Sequence, residues 1–181
     1  MSDRDLEQRI ESAGSSTSGP PPLRPFGLVL WRDARWSHEG QPILNRRLRE
    51  RFDRSVVYLP EQRVYVVEVG RFRGMIEVEE TGFFVRDFDL ERGEVSLSDG
   101  SVEPLDVSSL SLSPIDGAFL CRIKTGLVAD GLPARWLHGP QAELLGAVEE
   151  QAGRAGLPLA GEWIPLPEAV VGGPPEAGGG G

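Results

Sequence analysis

Ala34-Arg35-Trp36-Ser37-His38 returns almost intact as Ala134-Arg135-Trp136-Leu137-His138. Each copy runs into a glycine, a proline and leucines at helical spacing: Gly40, Pro42, Leu44 and Leu48 after the first, Gly139, Pro140, Leu144 and Leu145 after the second. The chain has 2 histidines, and both lie in these copies. Self-similarity of this kind predicts two related strand-then-helix units in tandem. It speaks to architecture and names no chemistry.

Around the first copy, Leu28-Val29-Leu30-Trp31 reads as a strand, Arg32-Asp33-Ala34 as its turn, and Arg35 to His38 as the return strand. Period-two alternation puts Trp36 and His38 on one face and Arg35 and Ser37 on the other. Gly40-Gln41-Pro42 breaks the strand. A helix follows, opened by Pro42 or capped by Asn45. Its apolar stripe is Leu44, Leu48 and Phe52, with Arg47, Arg51 and Arg54 along one flank. Around the second copy, Pro140 opens a helix over Gln141 to Ala152, striped by Leu144, Leu145 and Val148 and stopped by Gly153.

Between the copies lie short extended runs separated by turn signals. They are 56–59, 63–69, 75–79, 83–88 and 118–124, together with a hairpin over 95–105 turning at Asp99-Gly100. Trp163-Ile164 reads as a last short strand. The expected fold is therefore α+β, β-rich and mostly antiparallel, with eight or nine strands and two helices. The expected division is a first β-rich unit with a short helix over 25–105 and a second unit with a C-terminal helix over 106–168. Residues 1–24 and 169–181, rich in Ser, Gly and Pro, are expected to be disordered tails.

Charge is unevenly spread. The net charge is −9 and the pI about 4.8, which argues against general nucleic-acid binding. From Arg24 to Arg73, 11 arginines face 6 acidic residues; from Gly74 onward, 6 basic residues face 18 acidic ones. Such asymmetry suits attraction between the halves, or one basic face for an anionic partner. Cys121 is the only cysteine, so no internal disulfide forms, and a strand-facing thiol is favoured over a nucleophile. No apolar run follows the charged N-terminus, and no segment has the length of a membrane span. The expectation is a soluble, cytoplasmic protein without membrane association.

Asp33-Ala34-Arg35-Trp36-Ser37-His38-Glu39-Gly40-Gln41-Pro42-Ile43 resembles a bacterial family known as domain of unknown function 1285. Members carry an Asp-Gly-Thr-Trp-Phe-Tyr-Glu-Gly-x-Pro-Ile-like stretch, matched here at the Asp, Trp, Glu, Gly, Pro and Ile. Pro60-Glu61-Gln62-Arg63 and Ile76-Glu77-Val78-Glu79 are similar to the family's Pro-Val-Glu-Lys and Ile-x-Val-Glu segments, and Ala134 through Leu145 to its last strand and helix. The likeness spans roughly residues 27–150 and concentrates in 33–43. It implies a two-part β-rich fold with repeated motifs and a signalling or ligand-sensing role, and it supplies no catalytic residues. Ala34 stands where the family has Gly and His38 where it has an aromatic, which implies a looser turn and a more polar strand face.

Trp36, His38, Trp136 and His138 are the candidate ligand-binding residues, and Arg47, Arg51 and Arg54 the candidate anion-binding ones. For each, a structural role competes: tryptophans that anchor helices, histidines at strand ends, arginines that are solvated or paired, as Glu50 would pair Arg54 at i+4. The sequence has no nucleophile elbow, phosphate loop or zinc-protease motif. No cofactor or metal is expected, since two histidines and one cysteine are too few for a structural zinc site. The expected function is a ligand-binding or signalling/adaptor module without catalytic activity, its partner a small molecule or a protein. The alternative is a small hydrolase or metal-dependent enzyme using His38, Glu39 and His138. A third is a structural protein that adds strands or presents its basic helix.

Overall fold

Runs rich in Val, Ile and aromatics, cut by glycine-bearing turns, fold into fifteen strands and four short α-helices among the described residues. The computed structural model describes residues 3–12 and 23–172. It divides into two units, Met1–Phe83 with Ser98–Gly100, and Phe84–Leu97 with Ser101–Gly181. The boundary falls where strand Phe83–Asp89 begins, rather than after residue 105.

In the first unit, α1 (Asp3–Ser12) precedes β1 (Arg24–Leu30), β2 (Trp36–His38), β3 (Gln41–Pro42), α2 (Arg46–Asp53), β4 (Val56–Leu59), β5 (Val64–Val69) and β6 (Phe72–Val78). The sheet order is β3-β2-β1-β6-β5-β4. All neighbours are antiparallel except the central pair, β1 and β6, which run parallel with Leu28 opposite Ile76 and Leu30 opposite Val78. Leu30, Trp36, Leu48, Phe52, Val66 and Val67 form the centre of its core, each 0–1% exposed.

The second unit contains β7 (Phe83–Asp89), β8 (Glu94–Leu97), β9 (Val102–Pro104), a 3₁₀ turn (Val107–Ser109), β10 (Ser111–Leu112), β11 (Phe119–Ile123) and β12 (Leu132–Trp136). After them come α3 (His138–Gly146), β13 (Glu149–Gln151), β14 (Arg154–Leu159), β15 (Glu162–Pro165) and α4 (Glu168–Val171). The six-stranded sheet has the order β10-β11-β12-β7-β8-β9, and β13-β14-β15 form a separate three-stranded sheet.

The two six-stranded sheets have the same strand order: in each, the first and sixth strands lie side by side at the centre. The fold is thus β-rich, mostly antiparallel and tandem, as the sequence implied. The matching segments differ from those expected. Trp36 sits on the second strand of its sheet, whereas Trp136 ends the sixth strand of the other. The topological counterpart of β2 is β8. Gly40-Gln41-Pro42-Ile43-Leu44-Asn45 then corresponds to Gly100-Ser101-Val102-Glu103-Pro104-Leu105-Asp106. Both glycines have positive φ (79° and 85°), and both Ile43 and Leu105 are buried. Asn45 Oδ1 accepts the Leu48 N–H at 3.2 Å to cap α2, and Asp106 Oδ1 accepts the Ser108 N–H at 2.9 Å to cap the 3₁₀ turn. The underlying repeat is a turn glycine, a buried aliphatic residue and an Asx cap. The Ala-Arg-Trp echo is not a repeat of structure.

Several expected boundaries change for local reasons. Asn45 is the cap of α2 and Pro42 belongs to β3, so Leu44 falls outside the helix and is 79% exposed. Within α2, Glu50 pairs with Arg46 at 2.7 Å rather than with Arg54. α3 ends at Gly146, with Leu144 buried and Leu145 50% exposed. The residues beyond it form a hairpin because Ala152 and Gly153 take φ of 51° and 73°, the two left-handed positions of a type I′ turn. Ala160-Gly161 repeats the device between β14 and β15 (51° and 82°). At the ends, Asp3–Ser12 is helical with Leu6 2% exposed, and Glu168–Val171 is helical, in place of two wholly disordered tails. The remaining tail residues, 1–2, 13–22 and 173–181, lie outside the described residues.

The two buried tryptophans are held differently. The Trp36 ring packs on Phe52 of α2 at 5.3 Å between centroids, and its indole N–H donates to the buried Asp53 carboxylate at 2.8 Å. Trp136 packs on Phe88 at 5.5 Å. Truncating either to Ala should cost about 3–5 kcal/mol in urea unfolding, the range for a buried aromatic. A loss within about 1 kcal/mol would contradict this packing. Asp53→Ala should cost about 1–3 kcal/mol, because it strands a buried N–H. Ala152→Asn should stabilise by a few tenths to about 1 kcal/mol, since Asn enters the left-handed region more readily than Ala; a decrease in unfolding midpoint would refute the turn assignment.

Candidate functional site at the β1–β2 turn

The chain leaving β1 must reverse within five residues, 31–35, to reach β2. It does so with Trp31 and Arg35 joined by an N–H to C=O bond of 2.9 Å, and with Ala34 in the left-handed region at φ 61°. Asp33 stabilises the reversal: its Oδ1 accepts the Arg35 N–H at 3.1 Å, and its Oδ2 lies 3.2 Å from the Arg35 guanidinium. Ala34 therefore adopts the conformation that glycine enters freely, and the turn stays tight.

Beside this turn lies an open concavity of about 510 Å³. Trp31, Trp36, Gly40 and Pro42 provide apolar lining, and Arg32, Asp33, Arg35 and Glu79 provide charge. The Trp31 indole N–H donates to Ser37 Oγ at 3.0 Å. That bond fixes the ring while leaving 42% of the residue exposed. Glu79, just past β6, accepts the Arg32 backbone N–H at 2.9 Å and pairs with the Arg32 guanidinium. The lining thus offers an oriented indole and four charged groups that neutralise one another in pairs. Such a surface suits recognition, with an apolar contact area and a few placed polar groups.

The expected site residues distribute as follows. Trp36 contributes to this concavity although it is 1% exposed. His38 is buried, its ring 5.4 Å from Phe26, and Glu39 occupies the exposed turn between β2 and β3, its N–H bonded to the Gly27 carbonyl at 2.8 Å. In the other unit, His138 is exposed at the first position of α3. The histidines therefore hold unlike positions, one in a strand core and one on a helix end. Among the described residues, no group of three or more His, Cys, Asp or Glu is arranged to hold a metal ion. Arg47 and Arg51 are exposed on α2, and Arg54 is exposed as its C-cap.

Trp136 is 1% exposed, with its indole Nε1 buried and lacking a well-formed hydrogen bond. Its residual polar contact is with the thiol of Cys121. Burial pushes that thiol up to about 12, slightly offset by the Trp136 N–H and reinforced by the negative charge of Asp106. Cys121 is accordingly a protonated, unreactive core group at neutral pH. Arg135, which echoes Arg35 in sequence, is 8% exposed and pairs with Asp116 at 2.6 Å, whereas Arg35 lies at the surface. Lys124 pairs with Glu103 at 3.2 Å and donates to Ser101 at 2.7 Å. These groups support the sheet of the second unit.

The residues missed by sequence reasoning are Trp31, Arg32 and Glu79. Trp31 and Arg32 resembled ordinary strand and turn residues. The available signal was a tryptophan placed directly before an Asp-bearing turn, where a large aromatic has little sheet left to cover it. Glu79 carried no signal, because only the pairing of β1 with β6 brings it to the turn.

No family model and no curated protein matches the chain. Among solved structures, it is similar to a DUF1285 family protein from Silicibacter pomeroyi DSS-3. The identity is 18% with a TM-score of 0.58, covering 86% of this chain and 92% of that one. A DUF1285 family protein from Shewanella baltica OS155 matches at 12% identity with a TM-score of 0.46, covering 67% of this chain and 91% of that one. The likeness to the first of these is one of fold: over most of both chains, this protein has the architecture of a DUF1285 family protein.

Proposed function

We propose that this chain is a ligand-binding module without catalytic activity, and that its ligand sits in the concavity at the β1–β2 turn. The observation that carries the proposal is the Trp31 indole, fixed by Ser37 and presented to solvent beside Trp36 and Pro42. A large aromatic held rigidly at a surface supplies contact area at little entropic cost. The charged residues of the site are already engaged: Arg32 with Glu79, Arg35 with Asp33. Mutual pairing suits them to orient a polar ligand. His38 lies in the core, and the described residues present no metal-holding group, so the hydrolase reading gains no support from geometry.

A thermal-shift screen of common metabolites tests the proposal, with Trp31→Ala and Arg35→Glu as controls. A ligand at about 100 times its Kd adds roughly 2.7 kcal/mol to stability. The expected outcome is a shift in the parent that disappears in Trp31→Ala, while both variants keep the parent's unliganded midpoint to within a few degrees. Hits that stabilise Trp31→Ala as strongly as the parent would place the site elsewhere. Turnover of a hit compound would overturn the non-catalytic assignment.

A further inference from the structure

An edge strand carries a row of unpaired N–H and C=O groups, and folds blunt such edges with proline, charge or brevity. Among the described residues, the sheets end on β3, β4, β9, β10, β13 and β15. β3 and β10 are two residues long, β9 and β15 each hold a glutamate and a proline, and β13 holds Glu149 and Glu150. β4 has none of these devices: Val56-Val57-Tyr58-Leu59 carries neither charge nor proline. Its free side follows from the hydrogen-bond alternation. The Ser55 C=O accepts the Glu68 N–H at 2.9 Å, and Val56 lies opposite Val67. Ser55, Val57 and Leu59 therefore bond to β5, while Val56 and Tyr58 turn their N–H and C=O outward. These outward groups meet no partner among the described residues. Val57, Tyr58 and Leu59 are half-buried, and the Tyr58 ring is braced on Tyr65 at 4.9 Å. An exposed charge flanks each end, Arg54 before the strand and Glu61 after it. Neither side chain has an ion pair or hydrogen bond among the described residues.

We propose that β4 pairs antiparallel with β4 of a second copy, about a twofold axis through Val57, joining the two sheets edge to edge. The outward groups fix the register. Pairing Val56 with Tyr58 of the other copy, and Tyr58 with Val56, uses every outward N–H and C=O on both chains. Pairing Tyr58 with its own copy would set Val56 against Pro60, which has no N–H. Pairing Val56 with its own copy would set Tyr58 against Arg54, whose N–H is already bonded to the Glu50 carbonyl at 3.2 Å. The chosen register places Arg54 of each copy opposite Pro60 of the other and beside its Glu61, so that unlike charges meet at both ends. That complementarity belongs to a second copy and favours it over a foreign strand. The net charge of −9 repels two copies at long range. Main-chain bonds and apolar contact therefore carry the association, and it needs salt of about 150 mM, where the Debye length is about 8 Å. The strand is short, so the dimer is weak, with a dissociation constant on the order of 10–100 µM.

Sedimentation of the full chain at that salt tests this, from about 1 µM to about 500 µM protein. The average mass should rise from that of a monomer to that of a dimer and stop there, since a twofold contact closes on itself. Val57→Lys and Val57→Glu should each stay monomeric alone, because position 57 meets its own copy on the axis and like charges directly opposite repel. Mixed in equal amounts, the two should form a heterodimer. Arg54→Glu should weaken the parent dimer up to about 10-fold by setting like charges at both ends, and Arg54→Glu/Glu61→Arg should restore it. Both of these side chains are exposed, so this swap tests the register even where a charge at position 57 lowers the unfolding midpoint. A parent that stays monomeric throughout, or a Val57→Lys variant that associates like the parent, would overturn the proposal. So would a mixture of folded Lys and Glu variants that stays monomeric, or a double swap that recovers nothing. If the parent stays monomeric and a Thr-Val-Thr-Val-Thr peptide slows exchange of the Val56 and Tyr58 amides, the edge belongs to a foreign strand instead.

Discussion

The parallel pairing of β1 with β6 is the constraint on which the first unit depends. Parallel neighbours cannot be joined by a hairpin. The chain therefore places β2, β3, α2, β4 and β5 between them, two strands on either flank of the central pair. Parallel strands also end on the same side of a sheet. With Leu30 opposite Val78, the residues just beyond the two strands arrive together, and Arg32 meets Glu79. The Glu79 N–H returns a bond of 3.0 Å to the Leu30 carbonyl, closing the junction. The charged side of the β1–β2 concavity is thus a direct product of strand order.

The second unit keeps the same order with different contents. Its counterpart of the Trp36 strand carries Val95 and Leu97, both buried, and its counterpart of α2 is a single 3₁₀ turn. With Leu90 rather than a tryptophan directly after β7, and only a 3₁₀ turn directly after β9, it lacks the residue that builds the Trp31 surface. Instead it adds α3 and a three-stranded sheet. The two units therefore share a scaffold while the candidate ligand site belongs to one of them.

Strand identity and the β-rich, tandem architecture were legible in the sequence, because alternating apolar runs cut by Gly, Pro and Asp turns report local physics. The Asp99-Gly100 hairpin, β4 and the exposed arginine row of α2 followed from such patterns. The Ala-Arg-Trp echo misled because a short motif with a large aromatic looks alike on any strand that ends in the core. The true correspondence, a turn glycine leading to an Asx cap, is chemically quieter: one cap is Asn and the other Asp, and the spacing from the glycine differs by one residue. The end of α3 was misplaced because Ala152 lacks the usual Asn or Asp signature of a left-handed turn. Trp31 with Glu79 was out of reach of local reasoning, since their meeting requires the long-range β1–β6 register.

Native-state hydrogen exchange tests that register most directly. If the parallel pair holds the first unit together, the amides of Leu28, Leu30, Ile76 and Val78 that bond within the sheet should be among the slowest to exchange in that unit, opening only with global unfolding. The Arg32 amide, although in a turn, should be protected by its bond to Glu79, and that protection should fall in Glu79→Gln. Exchange of the central β1 and β6 amides as fast as that of the two-residue edge strand β3, with Arg32 unprotected, would contradict both the register and the site built on it.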